Sequence, residues 1–178
     1  MRESKSESRS VVLETERLQL FPFDSSDAEF LYELMNQPEW IEFIGDRGIE
    51  SIASAERYVE MKLKEAYRLL GFGLYLLRLK SDGTPIGMVG FVKRPELEDV
   101  DIGFALHSPF TANGYALEAT QSLLNYARTT LNLPRVVAIV TPNNQRSIRL
   151  IEKLGLQYER VVQFVEGGEE LRLYSIEL

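Results

Sequence analysis

The chain has no cysteine, which excludes disulfides, a thiolate nucleophile and cysteine-ligated zinc. Its single histidine, His107, cannot supply a multi-histidine metal site, and it makes a histidine-based triad a poor expectation. Basic residues are in deficit, with 20 Lys and Arg against 27 Asp and Glu and a net charge of −7. A nucleic-acid binder would normally show a basic face, so that class is set aside, and the charge favours a cationic partner as a long-range bias. No apolar run approaches the ~20 residues needed to span a bilayer, so no membrane association is expected and a cytoplasmic location is. Residues 1–12 are Ser-rich at first and nearly free of apolar side chains up to Ser10; they are expected to form a disordered tail ahead of a single domain over 13–178.

What is present is an apolar fraction of 44% in 178 residues, enough for one domain with a sizeable core. Residues 17–23 alternate and predict a strand. Asp24 with Ser25, Ser26 and Asp27 then caps a helix striped by Phe30, Leu31, Leu34 and Met35, which Pro38 ends. The stretch 40–48 reads as a loop with aromatic anchors, and Ser51 caps a second helix with Ile52, Ala55, Val59, Leu63 and Ala66 on one face. Strands follow over 72–80 and 84–93 about a Ser-Asp-Gly turn. A third strand, a helix, an apolar strand over 135–141, another helix closed by Gly155 and a final hairpin complete the order. A strand–helix–strand unit is right-handed by default, so the strands on either side of the first of these helices should be parallel neighbours. The fold class is therefore α/β (α+β), a mixed sheet flanked by helices.

Two stretches carry the chemistry. In the first, 99–118, Val100, Ile102, Phe104 and Leu106 alternate with Asp99, Asp101, Gly103 and Ala105. One face is bulky and the other nearly bare, as where something approaches a backbone closely. From Gly114 the period becomes helical, and the first turn after Thr111, Ala112, Asn113, Gly114, Tyr115 and Ala116 offers unpaired N–H groups that suit a phosphate. A strand–glycine–helix junction also occurs for purely structural reasons. In the second stretch, 141–155, Ser147, Ile151 and Leu154 share the inward helix face while Arg149, Glu152 and Lys153 face out. Asn143 and Asn144 are also ordinary capping residues.

Together these stretches resemble the GNAT superfamily of acyl-CoA-dependent N-acetyltransferases, and within it the RimJ/RimL branch that acetylates ribosomal-protein N-termini. The resemblance begins at Glu14, Thr15, Glu16, Arg17 and Leu18, and takes in Gly87, Met88, Val89, Gly90 and Phe91. It continues through Asp101 to Phe104 and through Asn113, Gly114, Tyr115, Ala116, Leu117, Glu118 and Ala119. It closes on Pro142 to Ser147 and on Glu152, Lys153, Leu154 and Gly155. It implies a mostly antiparallel central sheet of about seven strands with about four helices. It also implies acetyl-CoA as co-substrate, no metal, an amine acceptor that is a small molecule or a protein N-terminus, and a possible homodimer.

The family's phosphate loop, Gln/Arg-x-x-Gly-x-Gly/Ala, falls on residues 111–116, with Gly114 and Ala116 matching. Thr111 replaces the usual first residue and Asn113 stands where a basic residue is common. By the same resemblance Phe104, Ala105 and Leu106 would pair with the pantetheine arm, with an amide near Phe104 or Ala105 holding the oxyanion. Asn144 would contact pantetheine, and Ser147 would lie near the sulfur and protonate it. Asp101 is the first candidate for the base, with Glu42, Asp46 and Glu98 as alternatives that would otherwise attract a cationic acceptor. Two function classes follow: an N-acetyltransferase acting by direct attack in a ternary complex, or a GNAT-fold module that binds acyl-CoA without turnover.

Overall fold

A computed structural model of the chain describes residues 9–178. Eight strands build one sheet: β1 (Leu13–Glu14), β2 (Leu18–Pro22), β3 (Leu74–Leu79), β4 (Pro85–Val92), β5 (Val100–Leu106), β6 (Arg135–Val140), β7 (Gln157–Val162) and β8 (Leu171–Glu177). Their order is β1-β2-β3-β4-β5-β6-β8-β7. All neighbours are antiparallel except β5 and β6, the pair expected to be parallel. The strand beyond the expected number is β1, whose two residues are too few to show a period and are set by pairing Leu13 with Leu20.

Helices cover both faces: α1 (Ala28–Asn36), α2 (Pro38–Phe43), α3 (Ile52–Tyr58), α4 (Glu65–Leu70), α5 (Tyr115–Thr129) and α6 (Gln145–Lys153). A π-helical segment, Val59–Lys64, joins α3 to α4 without a break. Alternation along β3 sorts the layers. Tyr75 and Leu77 pack with Leu123 and Ala127 of α5 and Ile148 and Ile151 of α6. Leu76 points the other way, onto Leu31 and Leu34 of α1 and Ala55 of α3. Leu31 and Leu34 are fully buried, and truncating such a side chain to Ala costs about 2–5 kcal/mol.

Local signals act largely as read. Asp24 and Ser51 each make a capping box, Asp24 for the 3₁₀ turn Ser25–Asp27 that leads into α1, and Gly155 leaves α6 with φ 93°. Two expectations change. Residues 40–43 are helix and not loop, because Pro38 supplies the first turn of α2 and Trp40 is buried in the core. Of the expected tail, residues 1–8 lie outside the described residues, while Arg9 bonds the buried Asp27 and the Val12 amide donates to the Leu20 carbonyl at 2.8 Å. Among the described residues no helix is long and apolar enough to cross a membrane.

Candidate active site

Strand β5 is paired with β4 along its length, from Val92 opposite Asp101 to Gly87 opposite Leu106. With β6 it is paired only at Val100–Val136 and Asp101–Val137, after which β6 stays with β8 and leaves β5. The β6-facing backbone edge of β5 beyond Asp101 is therefore open as far as the Leu106 carbonyl, which accepts from Gln37 Nε2 at 2.8 Å, and offers a template for an added extended chain. A cavity of about 1230 Å³ occupies this split, with Gly103, Phe104, Ala105 and Leu106 on one side and Thr141, Asn144 and Ser147 on the other. A Cβ on Gly103 would meet only Leu74 Cδ2, at an ordinary 3.7 Å, so no neighbour within the fold demands glycine there. Its bareness widens the floor of the cleft.

The open edge runs toward the N-terminus of α5. Gly114 stands at the N-cap with φ 79° and no side-chain cap, so the first-turn amides of a 15-residue helix have no intrahelical acceptor. Ala112 also holds a positive φ of 65°, a left-handed conformation that is strained for alanine by about 1–2 kcal/mol. A second cavity of about 440 Å³ lies over this turn, bounded by Ala112, Gly114, Tyr115 and Ala116 and by Arg146, Arg149 and Lys153 of α6. Arg149 and Lys153 do face away from the core, but toward this groove and not simply into solvent. Their i, i+3, i+7 spacing from Arg146 was the available signal, and it has meaning only once α6 is known to cross beside α5. Thr111 lines the main cleft, although its hydroxyl donates to the Ser108 carbonyl at 2.8 Å. Asn113 lines neither cavity; its side chain donates to the Thr111 carbonyl at 3.1 Å and its own carbonyl accepts from Arg17 at 3.0 Å.

That arginine explains the residues at the start of the fold. Arg17 pairs with Glu118 at 2.7 Å and its guanidinium lies 4.5 Å from the Tyr115 ring centre. The same carboxylate accepts from the Thr15 hydroxyl at 2.6 Å and from the Arg17 amide at 2.9 Å. Partial burial works against charge on Glu118, but these bonds outweigh it and hold its carboxyl below the usual range. The turn between β1 and β2 is thereby clamped to the first turn of α5.

On the opposite wall, Asn144 caps α6 by accepting from the Ser147 amide at 3.1 Å. Ser147 is half-buried and lines the cleft, as its helix spacing indicated. Thr141, which ends the strand leading to this cap, is 3% exposed and lines the cleft, and its hydroxyl has no hydrogen-bond partner among the described residues. Nothing in the sequence marked it.

Asp101 is buried on the cleft wall and bonded through Oδ2 to Arg94. Burial pushes its carboxyl above the usual range, and Arg94 offsets only part of that rise. The alternatives fare differently, since Glu42, Asp46 and Glu98 line neither cavity. The cleft lining instead includes Arg47, Tyr58, Lys62 and Arg94, with Trp40, Phe43, Glu39 and Glu169. His107 is packed against Phe30 and Phe110, with ring centres 6.2 and 6.4 Å apart.

The family model described as an acetyltransferase (GNAT) domain matches residues 17–157. The chain is 29% identical over 158 residues to the uncharacterized N-acetyltransferase p20 of Bacillus licheniformis, covering 88% of each chain. A crystal structure of an acetyltransferase from Agrobacterium tumefaciens superposes with a TM-score of 0.79 at 28% identity, covering 100% of both chains. The ribosomal-protein-S5-alanine acetyltransferase of Vibrio fischeri shares the fold, with a TM-score of 0.78 at 20% identity over 94% of this chain and 97% of that one.

Proposed function

The chain belongs to the GNAT acetyltransferase family, and on that premise we propose that it moves the acetyl group of acetyl-CoA onto a primary amine by direct attack in a ternary complex. The observation that carries this reading is the continuity of the cleft, from the open edge of β5 to the uncapped start of α5 beneath three basic side chains. The residues fit the co-substrate. The free amides after Gly114 suit a pyrophosphate, and Arg146, Arg149 and Lys153 supply the positive charge that Thr111 and Asn113 do not. The orphaned Thr141 hydroxyl and the bare Gly103 leave room and a polar group where the pantetheine arm would run.

In this reading Phe104 and Leu106 present backbone groups to the arm along the open edge. Ala105 between them is paired with Met88 of β4 and borders the arm by its small side chain. Residues 111–116 form the phosphate loop, and Asn144 adds a side-chain contact. Asn113 contributes by holding the loop shape. The amine lone pair forms the new C–N bond, an amide N–H near Phe104 or Ala105 holds the oxyanion, and the C–S bond breaks as the tetrahedral centre collapses. Ser147 donates a proton to the departing sulfur and recovers one, directly or through water, from the nitrogen as it becomes the amide. Asp101, whose raised carboxyl is the better base for it, takes the proton from the ammonium directly or through water. The acceptor is a protein N-terminus, as for the RimJ/RimL branch, or a small amine. The domain spans 13–178 and works in the cytoplasm.

Calorimetric titration with acetyl-CoA followed by thiol-release assays over an amine panel tests this. The expected result is saturable binding and amine-dependent thiol release. Tight binding with no release against any amine would instead favour a module that holds acyl-CoA without turnover.

A further inference from the structure

In a protein of net charge −7, the main cleft is lined by basic side chains outside the phosphate groove. Arg47 from the loop after α2, Lys62 from the π segment and Arg94 from the loop after β4 all line the same cavity. Arg94 is neutralised by Asp101. Arg47 and Lys62 join no ion pair among the described residues. Glu42, Asp46 and Glu98 lie outside the cavity. Of the carboxylates that line it, Asp101 is paired with Arg94, Glu39 accepts from the Ser108 hydroxyl at 3.2 Å, and Glu169 comes from the loop between β7 and β8.

Tyr58 joins this group. It is half-buried, and while burial raises its hydroxyl pKa, the charges of Arg47 and Arg94 act on it in the opposite sense. Tyr58 lines the same cavity as both arginines. The i→i+5 ladder over Val59–Lys64 is a second, independent mark. It widens the helix immediately after Tyr58, such segments are rare, and they concentrate at functional sites. Tyr58, at the start of the segment, and Lys62, within it, lie four residues apart on one side, and both meet the cavity. Trp40, Phe43 and Phe164 wall the same space, which suits a compact ligand.

We propose that the acceptor is a small primary amine that also carries an anionic group, a carboxylate or a phosphate, held by Arg47, Lys62 and the Tyr58 hydroxyl. The amine then faces the open edge of β5. This rests on the acetyltransferase reading, and it reverses the expectation from overall charge, because local potential in a cleft and not net charge orients a bound ligand.

Matched amines differing only in that group test the proposal: a neutral parent, its carboxylate analogue and its phosphate analogue, each assayed with acetyl-CoA by thiol release. One anionic member should exceed the neutral parent in kcat/KM by about tenfold or more, and the better of the two identifies the group. In R47Q/K62Q that ratio should fall toward one, chiefly through KM, with the thermal midpoint reporting that the variant folds. Trp40 is the one tryptophan of the chain and lines the cavity, so its fluorescence reports binding without turnover. An anion-dependent Trp40 response with no thiol release supports the anion site while refuting the reaction. Thiol release with a neutral or polycationic amine preferred, or an anion preference that survives R47Q/K62Q, overturns the proposal and leaves the reaction standing. No Trp40 response to any amine together with no thiol release overturns both.

Discussion

Replacing Thr141 by valine separates what the cleft costs the fold from what it offers a ligand. The Thr141 side chain is buried at the end of β6, and its hydroxyl has no partner among the described residues. A buried hydroxyl left unpaired costs about 1–3 kcal/mol of desolvation, and valine keeps the β-branched shape without that group. Thr141→Val should therefore stabilise the ligand-free protein by about 1–3 kcal/mol. At about 2–4 °C per kcal/mol for a chain of this size, the thermal midpoint should rise by about 2–12 °C. If the hydroxyl meets the acetyl-CoA arm, the same change removes one neutral hydrogen bond of about 0.5–1.5 kcal/mol. Calorimetry would then read a Kd weaker by about 2- to 12-fold. Thermal unfolding with and without acetyl-CoA should show the variant more stable alone and less shifted by ligand. A midpoint that stays put or falls would refute the reasoning, since it would mean that the free protein already satisfies the hydroxyl. A higher midpoint with unchanged Kd would remove Thr141 from the binding site.

Gly114→Val should abolish acetyl-CoA binding in calorimetry, because the left-handed φ of 79° is strained for valine and its Cβ would lie 3.4 Å from Arg17. Arg149→Ala and Lys153→Ala should each weaken acetyl-CoA binding by about 3- to 10-fold and flatten its dependence on salt. Ser147→Ala should lower kcat far more than it raises the Kd for acetyl-CoA; equal losses would make Ser147 a binding residue only. The Glu118 carboxyl is held below its ordinary value of 4.5, so the stability it contributes is present above that value and is lost as pH falls through the lower folded one. Thermal midpoints measured from about pH 5 down to about pH 3 should fall more steeply for the native chain than for Glu118→Gln.

Most of the architecture follows from local sequence. Period-two alternation in β2 and β5, the apolar run of β6, the capping residues Asp24 and Ser51, and Gly155 at the end of α6 are each set by nearest neighbours, and the structure repeats these elements with small shifts at the ends. The parallel pairing of β5 with β6 follows from the handedness of the crossover through α5. The left-handed turn at Gly114 and the inward placing of Ser147 also depend only on spacing along the chain. Short elements escaped for the same reason that the long ones were legible. Two residues of β1 carry no period, and the π segment looks like uninterrupted helix because its apolar stripe continues through Val59 and Leu63.

Tertiary structure alone decided which charges meet. Glu118 and Arg17 stand 101 residues apart in sequence, and only the docking of the first turn of α5 against the start of β2 makes them a clamp. Arg149 and Lys153 belong to an outward helix face until α6 lies beside α5, when that face becomes the wall of the groove. The acidic composition suggested a cationic acceptor, but a sum over all residues carries no directions. The fold leaves Glu42, Asp46 and Glu98 out of the cleft lining and places Arg47 and Lys62 in it, together with Glu39 and Glu169. Periodicity records which side of its own element a residue occupies, and only the packing of elements against one another determines what that side faces.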